Sequence, residues 1–309
     1  MDLINQIGIS YKANYLVQGN LQERCIMSNK LRVNNTELQM RSDGKDFDIT
    51  SILKVYNGNV IFHIPTISID LENLKSINSR LRNLISDGIK IVTINASNLS
   101  LDLFEWSTID EQKKYFLNIV TGIATLASNK IVVCVENLSS KGEKAMFGSN
   151  YNQISDIIVY SRKLLVKDFG FTEEEAIKYI GLCFNISNIE DNNNFETIDK
   201  WFNIFNKNIK CIKFSSIENA FIDNLFELII QNDYTVPILF ETNSDIEEIG
   251  KEYNIIDYKI KEKLKKYNIS IGDYKINKPS NSGFSDIIVL SIIVITIVIA
   301  VLMVIVKLH

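Results

Sequence analysis

Glu136, Lys213 and Glu241 each follow a short apolar run, which makes them the charged residues best placed for chemistry. The preceding runs read IVVCV, IKCI and VPILF. Two carboxylates in one site can act as acid and base, as in glycosidases. Two facing carboxylates also repel each other, which raises the pKa of one of them unless a cation lies between them. We therefore expect an acid–base pair, a structural ion pair in which Lys213 bridges Glu136 and Glu241, or separate solvation of the three side chains at loops.

A histidine and three amides stand at or just after the ends of other apolar runs. His63 ends the run NVIFH, and Asn95, Asn185 and Asn188 follow the runs around residues 90–94 and 179–184. His63 could serve as a general base, although a hydrogen-bonded structural histidine is the simpler interpretation. The second histidine of the chain is His309, at the extreme C-terminus.

The elements that would position these residues alternate between short β-branched runs and longer amphipathic segments. Continuously apolar runs are typical of parallel strands that are covered on both faces. Eight strands, each followed by a helix or a loop, predict a (β/α)8 TIM barrel, with a doubly wound open sheet as the alternative. The predicted strands cover residues 4–9, 24–28, 59–63, 90–95, 130–136, 179–185, 209–215 and 236–241, and the predicted helices cover residues 71–87, 111–128, 154–165, 172–178, 195–205, 220–232, 245–253 and 257–267.

The C-terminal stretch 287–306 contains no charged residue and no proline. About 20 apolar residues in a helix span the hydrocarbon core of a bilayer. We therefore predict a barrel domain over residues 1–269, a linker over 270–285 and a single transmembrane helix over 286–307, which contacts membrane lipid through residues 287–306. Seven lysines between residues 259 and 278 precede the apolar run and only Lys307 follows it, which favours a cytosolic N-terminal domain.

Composition narrows the classes of partner and of site. A net charge of −4 and a pI near 5.4 offer no general attraction to nucleic acid, so no nucleic-acid partner is expected. The four cysteines are scattered singly, as reduced core thiols usually are, so neither a disulfide framework nor a cysteine metal site is expected.

Several short words resemble those of the endonuclease IV family of zinc-dependent apurinic-site endonucleases. Residues 135–142 (VENLSSKG) are similar to the family's ENTxGxG segment, residues 181–188 (GLCFNISN) to its GVCxDTCH word and residues 237–242 (PILFET) to its PxxLET word. Residues 8–10 and 69–71 resemble its GxHxS and INL words. The words occur in the family's order, and the resemblance implies the same TIM barrel fold.

The resemblance implies a zinc cluster that this chain retains only in part. Glu136 and Glu241 match two ligands of the family, while Asn185 and Asn188 replace an aspartate and a histidine. Two further family histidines fall on Asn95 and Lys213, and His63 matches a ligand only if the alignment is shifted by one residue. Asparagine is a poor zinc ligand. We therefore expect no metal and no cofactor at this degenerate site.

The expected function is that of a non-enzymatic, tail-anchored membrane protein, in which a catalytically dead barrel binds an unidentified protein partner or plays a structural role. The asparagine-, isoleucine- and lysine-rich composition indicates an AT-rich genome. Because large cytoplasmic DNA viruses encode proteins that resemble the endonuclease IV family and carry tail-anchored envelope proteins, the resemblance implies a viral envelope as the context. The alternative is a membrane-tethered, metal-dependent hydrolase or apurinic-site endonuclease with an altered site.

Overall fold

The computed structural model describes residues 6–11, 20–39, 55–64, 82, 85, 88–140, 145–189, 194–242 and 244–267. These residues lie in a compact unit that spans Met1–Lys275. The predicted linker and the predicted transmembrane segment 286–307 lie outside the described residues. Within the ranges above, no helix is long and apolar enough to cross a membrane.

Eight parallel strands form a closed barrel in chain order, which confirms the predicted TIM barrel. The last strand pairs with the first, so that Glu241 lies beside Ser10. The strands are β1 (Ile7–Tyr11), β2 (Asn35–Gln39), β3 (Asn59–Ile64), β4 (Ile91–Asn95), β5 (Val132–Glu136), β6 (Ile180–Asn185), β7 (Ile209–Phe214) and β8 (Ile238–Thr242).

Helices surround this barrel, and the longer ones bury their apolar faces against it. They are α1 (Asn20–Lys30), α2 (Leu101–Trp106), α3 (Ile109–Ala127), α4 (Tyr151–Phe169), α5 (Glu173–Tyr179), α6 (Phe195–Phe205), α7 (Asn219–Gln231) and α8 (Ile246–Lys266). Local signals fix their ends: α3 and α5 begin with capping boxes at Thr108 and Thr172, and α4 ends at Gly170 with φ 74°.

Two sequence predictions about these elements are wrong. Residues 24–28 form part of α1 and not a strand, because Arg24, Cys25 and Ser28 are buried with helical spacing while Ile26 is exposed. The second strand is instead the polar segment Asn35–Gln39. Residues 245–253 and 257–267 form one continuous helix, α8, since no proline separates them and Tyr253, Ile256 and Ile260 share its buried face.

The interior of the barrel consists of an apolar layer followed by a polar layer. Side chains alternate along a strand, so residues two positions apart point to the same side. The apolar layer is a cluster separate from the helix-covered core and contains Ile61, Cys134, Cys183, Cys211 and Leu239. Two residues further along the same five strands are His63, Glu136, Asn185, Lys213 and Glu241. The fold thus places these predicted site residues above one apolar floor, toward the C-terminal ends of the strands, where TIM-barrel active sites lie.

Candidate active site

Lys213 is the centre of the polar layer, and its side chain is almost fully buried. Its residue is 1% exposed, and its Nζ lies 2.6 Å from Glu136 Oε2 and 2.7 Å from Glu37 Oε2. Burial lowers the pKa of Lys213, but the carboxylates of Glu136 and Glu37 outweigh that effect and hold the pKa well above its usual range. Lys213 is therefore a fixed ammonium ion and not a neutral amine nucleophile at neutral pH.

Glu136 ends β5 and remains ionised although it is buried. Burial raises the pKa of this carboxyl, but the charges of Lys213 and His63 and a hydrogen bond from Asn185 together lower the pKa to about 2. Asn185 Nδ2 donates to Glu136 Oε1 over 2.8 Å, and His63 Nδ1 lies 3.4 Å from Glu136 Oε2. Glu136 is thus a permanent carboxylate that anchors the ammonium of Lys213.

Glu37 on β2 is the second anchor of Lys213 and was missed by the sequence analysis. Ser10 Oγ donates to its Oε2, and Thr93 Oγ1 donates to its Oε1 over 2.5 Å. His63 Nδ1 lies 3.0 Å from the same threonine hydroxyl. The network therefore connects β1, β2, β3 and β4 to the ion pair. The alternation of the polar residues Asn35 and Glu37 could have indicated this strand. It was not used because the second strand was predicted at residues 24–28.

Asn137 and Asn188 support this network from the loop after β5 and the short 3-10 helix after β6. Asn137 Oδ1 accepts from the backbone N–H of Asn185 over 2.7 Å, and its Nδ2 donates to the carbonyl of Asn185 over 2.9 Å. Asn188 Nδ2 donates to the carbonyl of Asn137 over 2.8 Å. These bonds hold the amide of Asn185 against Glu136, and Asn188 contributes indirectly through its contact with Asn137.

Glu241 and Asn95 lie at or next to the C-terminal ends of β8 and β4. Both are partly exposed, and Asn95 lies beside Glu136 in the pairing of β4 with β5. Lys213 pairs with Leu239, so Glu241 lies two residues further along β8 than the level of the lysine. Glu241 still raises the pKa of Lys213, but by less than Glu136 and Glu37 do. The expected bridge from Glu136 to Glu241 is therefore a bridge from Glu136 to Glu37.

The residues of this site do not fit the zinc cluster that the endonuclease IV resemblance implies. An ammonium ion lies between two carboxylates at the point where a divalent cation would need their oxygens, and the amide of Asn185 occupies another carboxylate oxygen. Like charges this close repel strongly. Across the part of the chain that the structure describes, no three histidine, cysteine, aspartate or glutamate side chains are grouped as a metal site.

Solved structures of several enzymes share this barrel fold. An L-ribulose 3-epimerase matches with 14% identity over 87% of this chain and 99% of its own, with a TM-score of 0.60. A 3-keto-D-glucoside 4-epimerase from E. coli matches with 10% identity over 82% of this chain and 99% of its own, with a TM-score of 0.58. An AP endonuclease of family 2 from Brucella melitensis matches with 11% identity over 79% and 96%, with a TM-score of 0.54. No protein-family model and no curated protein matches the chain.

These matches contradict the expectation that the chain is not an enzyme. The three matched structures are epimerases and an endonuclease, so the barrel is an enzyme fold. The expectation was wrong because it judged catalysis chiefly from the missing zinc ligands and the acidic pI, whereas one fold supports many chemistries. Identities of 10–14% show the shared fold and not a shared substrate. Membership of the endonuclease IV family stays a prediction.

Proposed function

We propose that the barrel is a membrane-tethered enzyme that moves protons on a small, uncharged polyhydroxy carbonyl compound, as an isomerase or epimerase does. The observation that carries this proposal is the buried ammonium of Lys213, held 2.6 and 2.7 Å from two carboxylates in the polar layer inside the barrel. In this proposal the ammonium performs the electrostatic task that a divalent cation performs in other barrels.

The ammonium of Lys213 has the hydrogen-bonding capacity for this role. A lysine ammonium carries three N–H donors. Glu136 accepts one of them in a hydrogen bond, Glu37 faces another as an ion-pair partner at 2.7 Å, and within the described residues no third acceptor contacts Nζ. A substrate carbonyl oxygen that accepts the third N–H would be stabilised as negative charge develops on it during enolisation. A preorganised donor of this kind typically contributes about 3 to 4 kcal/mol to transition-state stabilisation.

The charge of the site favours a neutral substrate over a phosphodiester. Three carboxylates, Glu37, Glu136 and Glu241, accompany one ammonium, Lys213, so an anionic phosphate would meet net repulsion. Hydroxyl groups of a sugar-like molecule, in contrast, match the carboxylates, the amides and His63 as hydrogen-bonding partners. Two of the matched structures are also sugar epimerases.

Glu241 and His63 are our candidates for the proton-transferring groups. Glu136 has a pKa of about 2 and holds Lys213, so it is a weak base. Glu241 is the carboxylate of the set that is partly exposed, and it lies further along its strand than Lys213. His63 lies within 3.4 Å of Glu136, which would stabilise an imidazolium as the ring takes up a proton.

The membrane tether is the second part of the proposal. It rests on the uncharged run 287–306 and on the excess of lysines before it. The full-length chain is expected to remain in the membrane pellet after alkaline carbonate extraction, and a chain ending at residue 285 is expected in the supernatant. Equal extraction of both would contradict the tether and leave the chemistry of the barrel untouched.

Solvent-exchange NMR tests the chemistry without knowledge of the substrate. The purified full-length chain is incubated in D2O with a panel of aldoses, ketoses and keto-sugars, and loss of the proton signal next to each carbonyl is followed. We expect exchange with at least one compound, abolished in Glu241→Gln and in Lys213→Met. Lys261→Met removes a surface lysine of α8 and is expected to leave exchange unchanged.

Two results would refute this function. One is the absence of exchange with every compound of the panel. The other is exchange that persists in Glu241→Gln, a variant that keeps both contacts of Lys213. Zinc-dependent cleavage of an abasic duplex by the same preparation would instead support the hydrolase alternative.

A further inference from the structure

The outer surface of the barrel carries two complementary exposed regions that the proposed active site does not use. The first, the apolar knob, comprises Leu103, Trp106 and Ile109 at the junction of α2 and α3. Their side chains are 54%, 81% and 69% exposed, and α2 buries none of its residues. A tryptophan side chain this exposed to solvent is typical of a surface that contacts another molecule.

Acidic residues surround the apolar knob. Asp102 and Glu105 lie on α2, and Asp110 and Glu111 begin α3. Asp102, Glu105 and Asp110 form no ion pair within the described residues. The knob therefore combines an aromatic centre with an acidic rim, and Lys113 and Lys114 follow on the next turn of α3.

The second region, the basic groove, lies between α4 and α5 and encloses about 410 Å³. Its apolar wall is formed by Val159, Val166 and Ile177, of which Val159 and Ile177 are more than 40% exposed. Arg162, Lys163 and Lys167 add positive charge to its lining, and Glu173 adds one negative charge. Lys163 lies over the ring of Tyr160, and neither Lys163 nor Lys167 forms an ion pair within the described part of the chain.

We propose that the apolar knob of one chain docks into the basic groove of a second copy of the same chain. The knob brings an indole and an acidic rim, and the groove offers an apolar wall and a mainly basic lining, so apolar contact and charge both favour the association. Both regions are exposed on the outer surface of the same barrel, so the contact forms between two molecules. Because the contact uses two different surfaces, it repeats from chain to chain and forms a ring or an open row.

The contact is expected to be weak in solution and stronger on a surface. One tryptophan and two aliphatic side chains bury a few hundred Å², well below the roughly 1,200–2,000 Å² of stable interfaces. Confinement to a membrane raises the effective concentration of neighbouring copies, which strengthens weak repeated contacts.

Disulfide cross-linking between two differently tagged full-length copies, in one nanodisc or micelle preparation, tests this proposal. Glu105→Cys places a thiol beside the knob of one copy, and Lys163→Cys places a thiol beside the groove of the other. The four native cysteines are buried, so the introduced thiols dominate the reaction. We expect a mixed disulfide in high yield. The control pairs Glu105→Cys with Glu247→Cys, a thiol on the exposed first turn of α8, and is expected to give background yield.

Two further variants separate docking from random collision. Truncation of an interface tryptophan typically costs at least tenfold in affinity, so Trp106→Ala in the Glu105→Cys copy should lower the yield about tenfold. Charge reversal with Lys167→Glu in the groove copy should also lower it, and Asp102→Lys in the knob copy should restore it. Equal yields with the α8 control, or a yield unchanged by Trp106→Ala, would overturn the proposal. A blue shift of Trp106 emission that follows lipid and not protein concentration would also overturn it, in favour of a membrane contact.

Discussion

Replacement of Lys213 by methionine is the most informative single perturbation of this barrel. Methionine keeps the length and the apolar stem of the side chain but removes the charge between Glu136 and Glu37. Breaking a buried ion pair by removing one partner typically costs about 3–5 kcal/mol. Since the ammonium contacts two carboxylates at 2.6 and 2.7 Å, we expect a loss near the upper end of that range. With a urea slope of about 3 kcal/mol per M, the unfolding midpoint should fall by roughly 1.5 M.

The pH dependence gives this prediction a sign that a simple packing defect would lack. In the wild type, the folded pKa of Glu136 is about 2, below its ordinary value of 4.5. The ionised carboxylate therefore contributes about 3 kcal/mol above pH 5, and this contribution is lost as the pH falls toward 2. In Lys213→Met, burial without the ammonium raises the pKa of Glu136, so the variant should become more stable as the pH falls from 7 to 5.

Urea unfolding followed by far-UV circular dichroism at pH 7, 6 and 5 measures both effects. The triple variant Lys213→Met, Glu136→Gln, Glu37→Gln carries no charge at these positions and serves as the matched control. It should recover part of the lost stability and show little pH dependence from this site. Two results would refute the reasoning: a urea midpoint of Lys213→Met within 0.3 M of the wild type, or a Lys213→Met variant that becomes less stable as the pH falls from 7 to 5. The margin of 0.3 M corresponds to about 1 kcal/mol at a slope of about 3 kcal/mol per M.

Three further predictions concern the barrel interior. Asn185→Asp replaces the amide that donates to Glu136 with a second carboxylate, so urea unfolding should show a loss of about 2 kcal/mol or more at pH 7 and a smaller loss at pH 4. Gly8→Ala would place a Cβ 2.4 Å from the carbonyl oxygen of Asn35, and thermal unfolding should show about 1–3 kcal/mol of destabilisation; the control Gly250→Ala, where a Cβ meets nothing within 4 Å, should be neutral or stabilising. The four cysteines are buried, and burial raises the pKa of the Cys25 thiol to about 12, so a disulfide reagent should label no thiol of the native chain and all four in urea. Rapid labelling of the native chain would contradict the packing described here.

The sequence predicted most of the barrel because parallel strands covered on both faces are apolar throughout. Seven strands lie where such runs were found, including the runs before Glu136 and Glu241. The second strand, Asn35–Gln39, reads NTELQ, and its Glu37 side chain reaches Lys213 inside the barrel. No apolar run marks it, and the short run around Cys25 was taken in its place. The error arose from the polar interior of this barrel, which is also what makes it a candidate site.

The candidate site was predicted in part for a related reason. Glu136, Lys213, Asn185 and His63 were found because they follow apolar runs. Glu37 was missed because it lies in the middle of a polar strand, and its contact with Lys213 crosses the barrel from β2 to β7. Such pairing depends on closure of the barrel and has no signature in local sequence. The expectation that the chain lacks catalysis failed differently, because it equated catalysis with one set of zinc ligands.

The pairing of β1 with β8 closes the sheet, and all the remaining pairings join strands that are consecutive in the chain. During synthesis β2 therefore emerges long before β7, and Glu37 cannot reach Lys213 until the sheet has curled fully round. Before the barrel closes, the ammonium of Lys213 is expected to be hydrated and to contact Glu136 but not Glu37. The network is therefore expected to form late in folding. It should slow the unfolding of the closed barrel far more than it speeds folding. The charges that could serve catalysis would then also determine how long the native barrel persists.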